Sequence, residues 1–106
     1  MKRDVFQAIA DPTRRAILLL IATQAMTPNA LADHFASSRQ AVSKHIHVLL
    51  ESELLRQQQQ GREIYYYLNP DRIHQVDEWL QHFKALAEQR FAQLDDVLAT
   101  LKTKQN

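Results

Sequence analysis

Three groups of side chains in this chain of 106 residues have types and spacings that could do chemistry. His74, Glu78 and His82 recur at i, i+4 and i+8, so on a helix they share one face, and their spacing allows two of them to bind zinc. No Asp or outer shell is placed to orient them, and matching ligands would have to come from a partner, so they read as a solvated face, and no metal ligand is assigned. Gln40, Ser43, Lys44 and His47 also recur at helical spacing, in a window between Asp33 and Glu51 that contains no acidic residue. Arg39, Lys44, His45 and His47 lie in that window, where a polyanion could approach without repulsion. Arg62 follows Gly61, the only glycine.

What is missing narrows the classes further. The chain has no Cys, which removes disulfides, thiolate metal sites and cysteine nucleophiles. No Ser/His/Asp spacing, phosphate loop or pair of carboxylates suited to acid and base work occurs, and a single glycine cannot build a phosphate cradle. An enzyme is therefore not expected, and no cofactor is assigned. No apolar run reaches the eighteen or so residues that span a bilayer, and Met1-Lys2-Arg3-Asp4 is followed by no signal-type stretch, so no membrane partner and a cytoplasmic location are expected. Net charge is only +1, but its distribution is uneven: eight Lys or Arg face six Asp or Glu through residue 68, and five face six from residue 69 onward.

The elements that must position these groups are marked by punctuation. Asp11-Pro12, Thr27-Pro28 and Asn69-Pro70 each place a capping oxygen before a proline, whose missing N–H suits the first helical position. Residues 3–9 read as a short helix with Val5, Phe6 and Ile9 on one face, and 12–24 as a second with Ile17, Leu18, Leu20 and Ile21 apolar. Pro28 to Phe35 makes about two turns, Ala36-Ser37-Ser38 interrupts, and another helix runs from about Arg39 to Ser52. Val42, Ile46, Leu49 and Glu53 fall on one stripe of it, opposite Gln40, Ser43, Lys44 and His47. Beyond Leu54-Leu55 the period becomes two: polar Arg56 to Gln60, then Ile64, Tyr66 and Leu68 alternating with Glu63, Tyr65 and Tyr67, predict a hairpin turning at Gln60-Gly61, with Tyr66 inward.

From Pro70 the chain reads as one helix of roughly thirty residues, about 45 Å long. Ile73, Val76, Leu80, Phe83, Ala87, Leu94, Val97 and Leu101 keep heptad spacing, broken at Arg90, and Trp79, Leu86, Phe91 and Leu98 widen the stripe. A core made by the residues before it is too small to cover such a stripe, so a homodimer is expected.

A helix-turn-helix followed by a hairpin predicts a mainly α winged helix-turn-helix in the order α1-α2-α3-α4-β1-β2-α5, whose second motif helix enters the major groove. Asp4 through Leu18, Ala41-Val42-Ser43-Lys44-His45-Ile46-His47-Val48-Leu49 and Gly61-Arg62-Glu63-Ile64-Tyr65-Tyr66-Tyr67-Leu68 closely resemble the arsenical-resistance repressor (ArsR) family, from residue 4 to about 84. The resemblance implies a transcription regulator, usually a repressor, which dimerises through its first and last helices and contacts DNA with residues 38–47 and the wing. It places a winged domain at residues 1–88, with the helix-turn-helix at about 28–52, the wing at about 54–68 and a dimerisation helix at 70–103. Members often sense metals. The stretch Ala30-Leu31-Ala32-Asp33-His34-Phe35 has none of the cysteines that such a soft-metal site uses. For the zinc site of the last helix, Asp71-Arg72-Ile73 lacks the histidine and His82 is followed by Ala85.

The expected DNA-binding residues are Ser38, Arg39, Gln40, Ser43, Lys44, His47 and Arg62. Ser38 is expected to cap its helix, with a base reader as the alternative, and a capping hydroxyl at a helix N-terminus can also meet a phosphate. Gln40 either completes a capping box with Ser37 or, if the helix starts at Ser38, reaches an adenine edge. His45 is expected to be half-buried and structural, and Arg14-Arg15 to be the exposed side of their helix, with a phosphate clamp as the alternative. The expected partners are operator DNA, in an inverted repeat, and a second copy of the chain; no inducer is indicated. The alternative is a winged-helix scaffold that binds protein or RNA.

Overall fold

The computed structural model describes residues 3–104; the start at Met1-Lys2, counted above into the winged domain, lies outside them. The element order is α1 (Val5–Ile9), α2 (Pro12–Thr23), α3 (Pro28–Ala32), α4 (Arg39–Glu51), β1 (Leu55–Gln60), β2 (Glu63–Leu68) and α5 (Pro70–Lys104), the winged helix-turn-helix order expected from the sequence. The described residues divide into two units, one ending at His74 and one beginning at Gln75.

Each helix start in the first unit has a side-chain oxygen that accepts an otherwise unpaired N–H. Asp11 accepts from the Arg14 amide at 3.0 Å, Thr27 from Ala30 at 3.2 Å, and Asn69 from Asp71 at 3.2 Å, so all three residues before the prolines are caps. Asp4 caps α1 through the Gln7 amide, which is why that helix begins at Val5 and not at residue 3. Helix α3 is shorter than the sequence suggested, ending at Ala32, because Asp33 and the following turn divert the backbone before Phe35.

Ile17 and Ile21 of α2, Leu31 of α3, Val42, Ile46 and Leu49 of α4, and Leu54 and Leu55 form the core, joined by Val5 and Ala8. Ala8, not Phe6 or Ile9, is the second buried residue of α1, a small side chain where the helix comes against its neighbours. Glu53 does not extend the α4 stripe. The helix stops at Glu51, Ser52 caps it, and Glu53 takes a left-handed backbone (φ 62°) that turns the chain towards β1. That turn is held by Asn69, whose Nδ2 donates to the Glu53 carbonyl, and by Arg72, whose guanidinium reaches Glu53 Oε2 at 2.8 Å.

The strands pair antiparallel from Leu55 opposite Leu68 to Gln60 opposite Glu63. The loop is therefore Gly61-Arg62, one residue beyond the turn expected at Gln60-Gly61. Gly61 has φ 64°, and a positive φ at the first central residue of a two-residue hairpin loop suits a type II′ turn, which favours Gly there. Tyr66 is inward as expected, and its N–H donates to the Met26 carbonyl at 2.8 Å, so the segment before α3 adds a one-residue bridge to the sheet. Ile64, nearer the tip, is exposed, because the core ends before it.

The second unit is the continuation of α5 alone, thirty described residues from Gln75, about 45 Å of helix. Its large apolar side chains are exposed, among them Phe83, Leu86, Phe91, Leu94, Val97 and Leu101, and Trp79 stacks on Phe83 with ring centroids 5.2 Å apart. No helix among the described residues is long and apolar enough to cross a membrane.

Candidate nucleic-acid interface

Helix α4 is two-faced because its sequence is. Val42, Ile46 and Leu49 are buried at i, i+4 and i+7, and the same periodicity leaves Gln40, Ser43, Lys44 and His47 exposed on the other side. The buried stripe fixes the roll of the helix, so the polar face cannot rotate inward without breaking the core. Ser38 is the N-cap, accepting the Ala41 N–H at 3.1 Å. With the cap at Ser38, Gln40 is the second helical residue and is not needed for a capping box. Arg39, exposed, donates to the Asn29 side chain of α3 and so braces the two helices of the motif. Ser43, Lys44 and His47 line one open concavity, together with Arg3 and Val48.

His47 has a partner that the sequence reading did not give it: Nε2 lies 2.6 Å from Glu51 Oε1, one turn on. Glu51 Oε2 in turn accepts from Arg3 Nε at 2.9 Å, and the Arg3 hydrogen bond is the leading reason that the Glu51 carboxyl is held below its usual range. Arg62 sits on a different element, the second residue of the hairpin turn, and is exposed. Beside it the outer face of the wing is hydrogen-bonded: Tyr65 Oη donates to Glu63 at 3.1 Å, and Gln60 Nε2 donates to Tyr67 Oη at 2.6 Å.

Arg15 is exposed as expected and Arg14 is half-buried, and both have partners within the fold. Arg14 donates to the carbonyls of Ala8 (2.6 Å) and Gln7 (3.2 Å), and Arg15 donates to that of Ile9 (2.8 Å). These carbonyls end α1, a helix with no basic residue of its own in its last turn, so α2 supplies the cations that the negative helix end favours. His45 is half-buried as expected, 3.3 Å from Arg14 Nη1 and 3.8 Å from Asp11 Oδ2. The Arg14 N–H bond, reinforced by the nearby charges of His45 and Arg14, lowers the Asp11 pKa. Arg3 and Asn29 were missed from the sequence because they act across 48 and 10 residues, whereas Glu51 stands at i+4 from His47 on one helix, a spacing that could have found that pair. Among the described residues, no three His, Cys, Asp or Glu side chains come together as a metal-binding group.

Several known proteins are similar to this chain in sequence and in fold. A helix-turn-helix domain family matches residues 9–58. The transcriptional repressor SdpR of Bacillus subtilis is 38% identical over 80 residues, 76% of this chain and 89% of that protein. The arsenic resistance transcriptional regulator ArsR2 of Pseudomonas putida is 34% identical over 79 residues, 74% of this chain and 69% of that one. A crystallised ArsR family transcriptional regulator superposes with a TM-score of 0.70 at 36% identity, over 78% of this chain and 91% of its own. With this fold, this surface and these relatives, the chain belongs to the ArsR family of winged helix-turn-helix transcriptional regulators, which are DNA-binding proteins and not enzymes.

Proposed function

We propose that the protein is a transcriptional repressor which, as a homodimer, binds an inverted-repeat operator with α4 in the major groove and the wing on the adjacent backbone or minor groove. The observation that carries this reading is the exposed face of Gln40, Ser43, Lys44 and His47, set opposite a fully buried stripe in a window without acidic residues. In this reading Gln40 reads a base edge, Ser43 and Lys44 contact the DNA beside it, and Ser38, Arg39 and His47 face the flanking phosphates. Arg62 supplies a charge from the wing. Repression is favoured by the likeness to SdpR, whose name states that activity.

The homodimer is supported by the second unit, where a helix with large apolar side chains about half exposed suits association with an equal surface. We assign the winged domain up to about residue 88 and pairing to α1 and residues 70–103. We read the protein as cytoplasmic, on the nucleoid when bound, and as independent of metals, since the cysteines of a soft-metal site are missing.

The test is selection of bound fragments from random duplex DNA. A two-fold dimer whose α4 helices meet successive major grooves roughly 34 Å apart should enrich inverted repeats with half-sites about one turn apart. Enrichment of no sequence would favour the scaffold that binds protein or RNA.

A further inference from the structure

The concavity on the outer side of α4, about 520 Å³, is lined by Arg3, Ser43, Lys44, His47 and Val48. Three of these five side chains are basic or can become so, one is a hydroxyl, and none is acidic. Arg3 comes from the segment before α1, and two contacts hold it there: its backbone N–H donates to the Glu51 carbonyl at 3.3 Å, and its side chain bonds the Glu51 carboxylate. The backbone bond docks the segment against the end of α4. The side-chain bond does something else, because one carboxylate occupies both Arg3 and His47, one oxygen each, at the rim of a basic hollow.

We propose that this hollow is a binding site for a DNA backbone phosphate, in which Arg3, Lys44, His47 and the Ser43 hydroxyl take the phosphate and Glu51 holds Arg3 and His47 as an internal anion until DNA displaces it. The proposal rests on the DNA-binding reading above and adds to it a residue outside the helix-turn-helix and the wing. A phosphate matches the site's chemistry: it presents several acceptor oxygens to donors converging from two elements, and Arg can take two of them at once. Glu51 stands in for it without filling the hollow, since a carboxylate offers only two oxygens. Both Arg3 and Glu51 are partly exposed, so their pair is weak enough in water for a phosphate to replace it. The exchange leaves an unpaired carboxylate near the DNA, so Glu51 lowers affinity for all sequences alike.

The experiment measures binding to a random-sequence 30-base-pair duplex at salt concentrations from 50 to 200 mM, for wild type, Arg3→Gln, Glu51→Gln and the double variant, with thermal unfolding of each as a check on folding. Each phosphate contact contributes about 0.9 to the slope of log affinity against log salt. Arg3→Gln should therefore lower the slope by about 0.9 per protomer bound, making the loss of affinity over this fourfold salt range about 3.5-fold smaller per protomer. Glu51→Gln should raise affinity, and at least half of that gain should vanish when Arg3 is also Gln, a coupling that a double-mutant cycle reads directly. If Arg3 only tethers its segment, Arg3→Gln lowers the unfolding temperature and leaves the slope unchanged, and the proposal falls. Equal gains from Glu51→Gln with and without Arg3 would also overturn it, since they reflect general repulsion alone. Failure of the wild type to bind the duplex at all would instead remove the DNA-binding reading, and this site with it.

Discussion

The two units of the molecule place the same kinds of side chain in opposite situations. In the unit ending at His74, Ile17, Leu31, Leu49 and Leu54 are 0% exposed; in the unit from Gln75, Leu86, Phe91 and Leu94 are 53–64% exposed. The first unit closes its core because four short helices and a hairpin present their apolar faces to one another. A lone helix has nothing to close against, since its apolar positions all point outward from one axis. Apolar periodicity therefore says that a face wants cover; the number of neighbouring elements decides whether the chain covers it. The comparison separates residues that make the fold from residues free to make contacts with other molecules.

The largest effect should come from the uncovered stripe. Leu80→Ala with Phe83→Ala removes two side chains worth about 1.5–3 kcal/mol each on full burial and about half exposed in the single chain, so about 1.5–3 kcal/mol of association per chain and about 3–6 kcal/mol per dimer. Light scattering should give twice the 12.3 kDa chain mass for wild type and the single mass for the variant, with unchanged helical content. A wild type at 12.3 kDa would mean that the stripe pairs with something other than a second copy.

Next comes the closed core. Leu49→Ala leaves a hole beneath α4 and should cost about 2–5 kcal/mol in chemical denaturation, a large share of the stability of a small domain. If it costs no more than Leu19→Ala, on an exposed position of α2, then the division between covered and uncovered residues is wrong.

The smallest effect concerns a cap. Asp11→Ala should cost about 1 kcal/mol at neutral pH. Because the folded-state pKa of Asp11 is lowered from 3.8, its contribution is fully present above that value and is lost as pH falls through the lower folded value. The stability gap between wild type and Asp11→Ala should accordingly narrow in acid, to what an uncharged capping oxygen contributes. Asp11→Asn keeps a capping oxygen without a charge, so its gap to Asp11→Ala should persist at low pH. Parallel behaviour of the two variants would locate the effect outside the cap.

Local chemistry explains which parts were legible in the sequence. The caps before Pro12, Pro28 and Pro70, the two faces of α4 and the inward Tyr66 all follow from neighbouring residues and a period, and the structure has them. What the sequence concealed depends on distant partners. Glu53 has helical spacing with Leu49, yet Asn69 and Arg72, sixteen and nineteen residues on, hold it in a left-handed turn. Arg14 and Arg15 look like an exposed basic pair until the end of α1 is brought under them. Of the interface, the α4 face and the i,i+4 pair of His47 and Glu51 were readable from periodicity, whereas the bond from Arg3 to Glu51 joins residues 48 apart and has no local signature.

The most direct measurement of the central claim, that the outward face of α4 reads DNA sequence, is a competition assay between a selected operator and a scrambled duplex for wild type, Gln40→Ala and Arg62→Ala. Gln40→Ala should lose about 1–3 kcal/mol for each base pair it reads on the operator and almost nothing on scrambled DNA, because base-edge hydrogen bonds are lost while phosphate contacts remain. Arg62→Ala should weaken both duplexes alike and lower the salt slope. If Gln40→Ala instead lowers binding to both duplexes equally, the face that the buried stripe of α4 holds outward is not the reading face, and the account is contradicted.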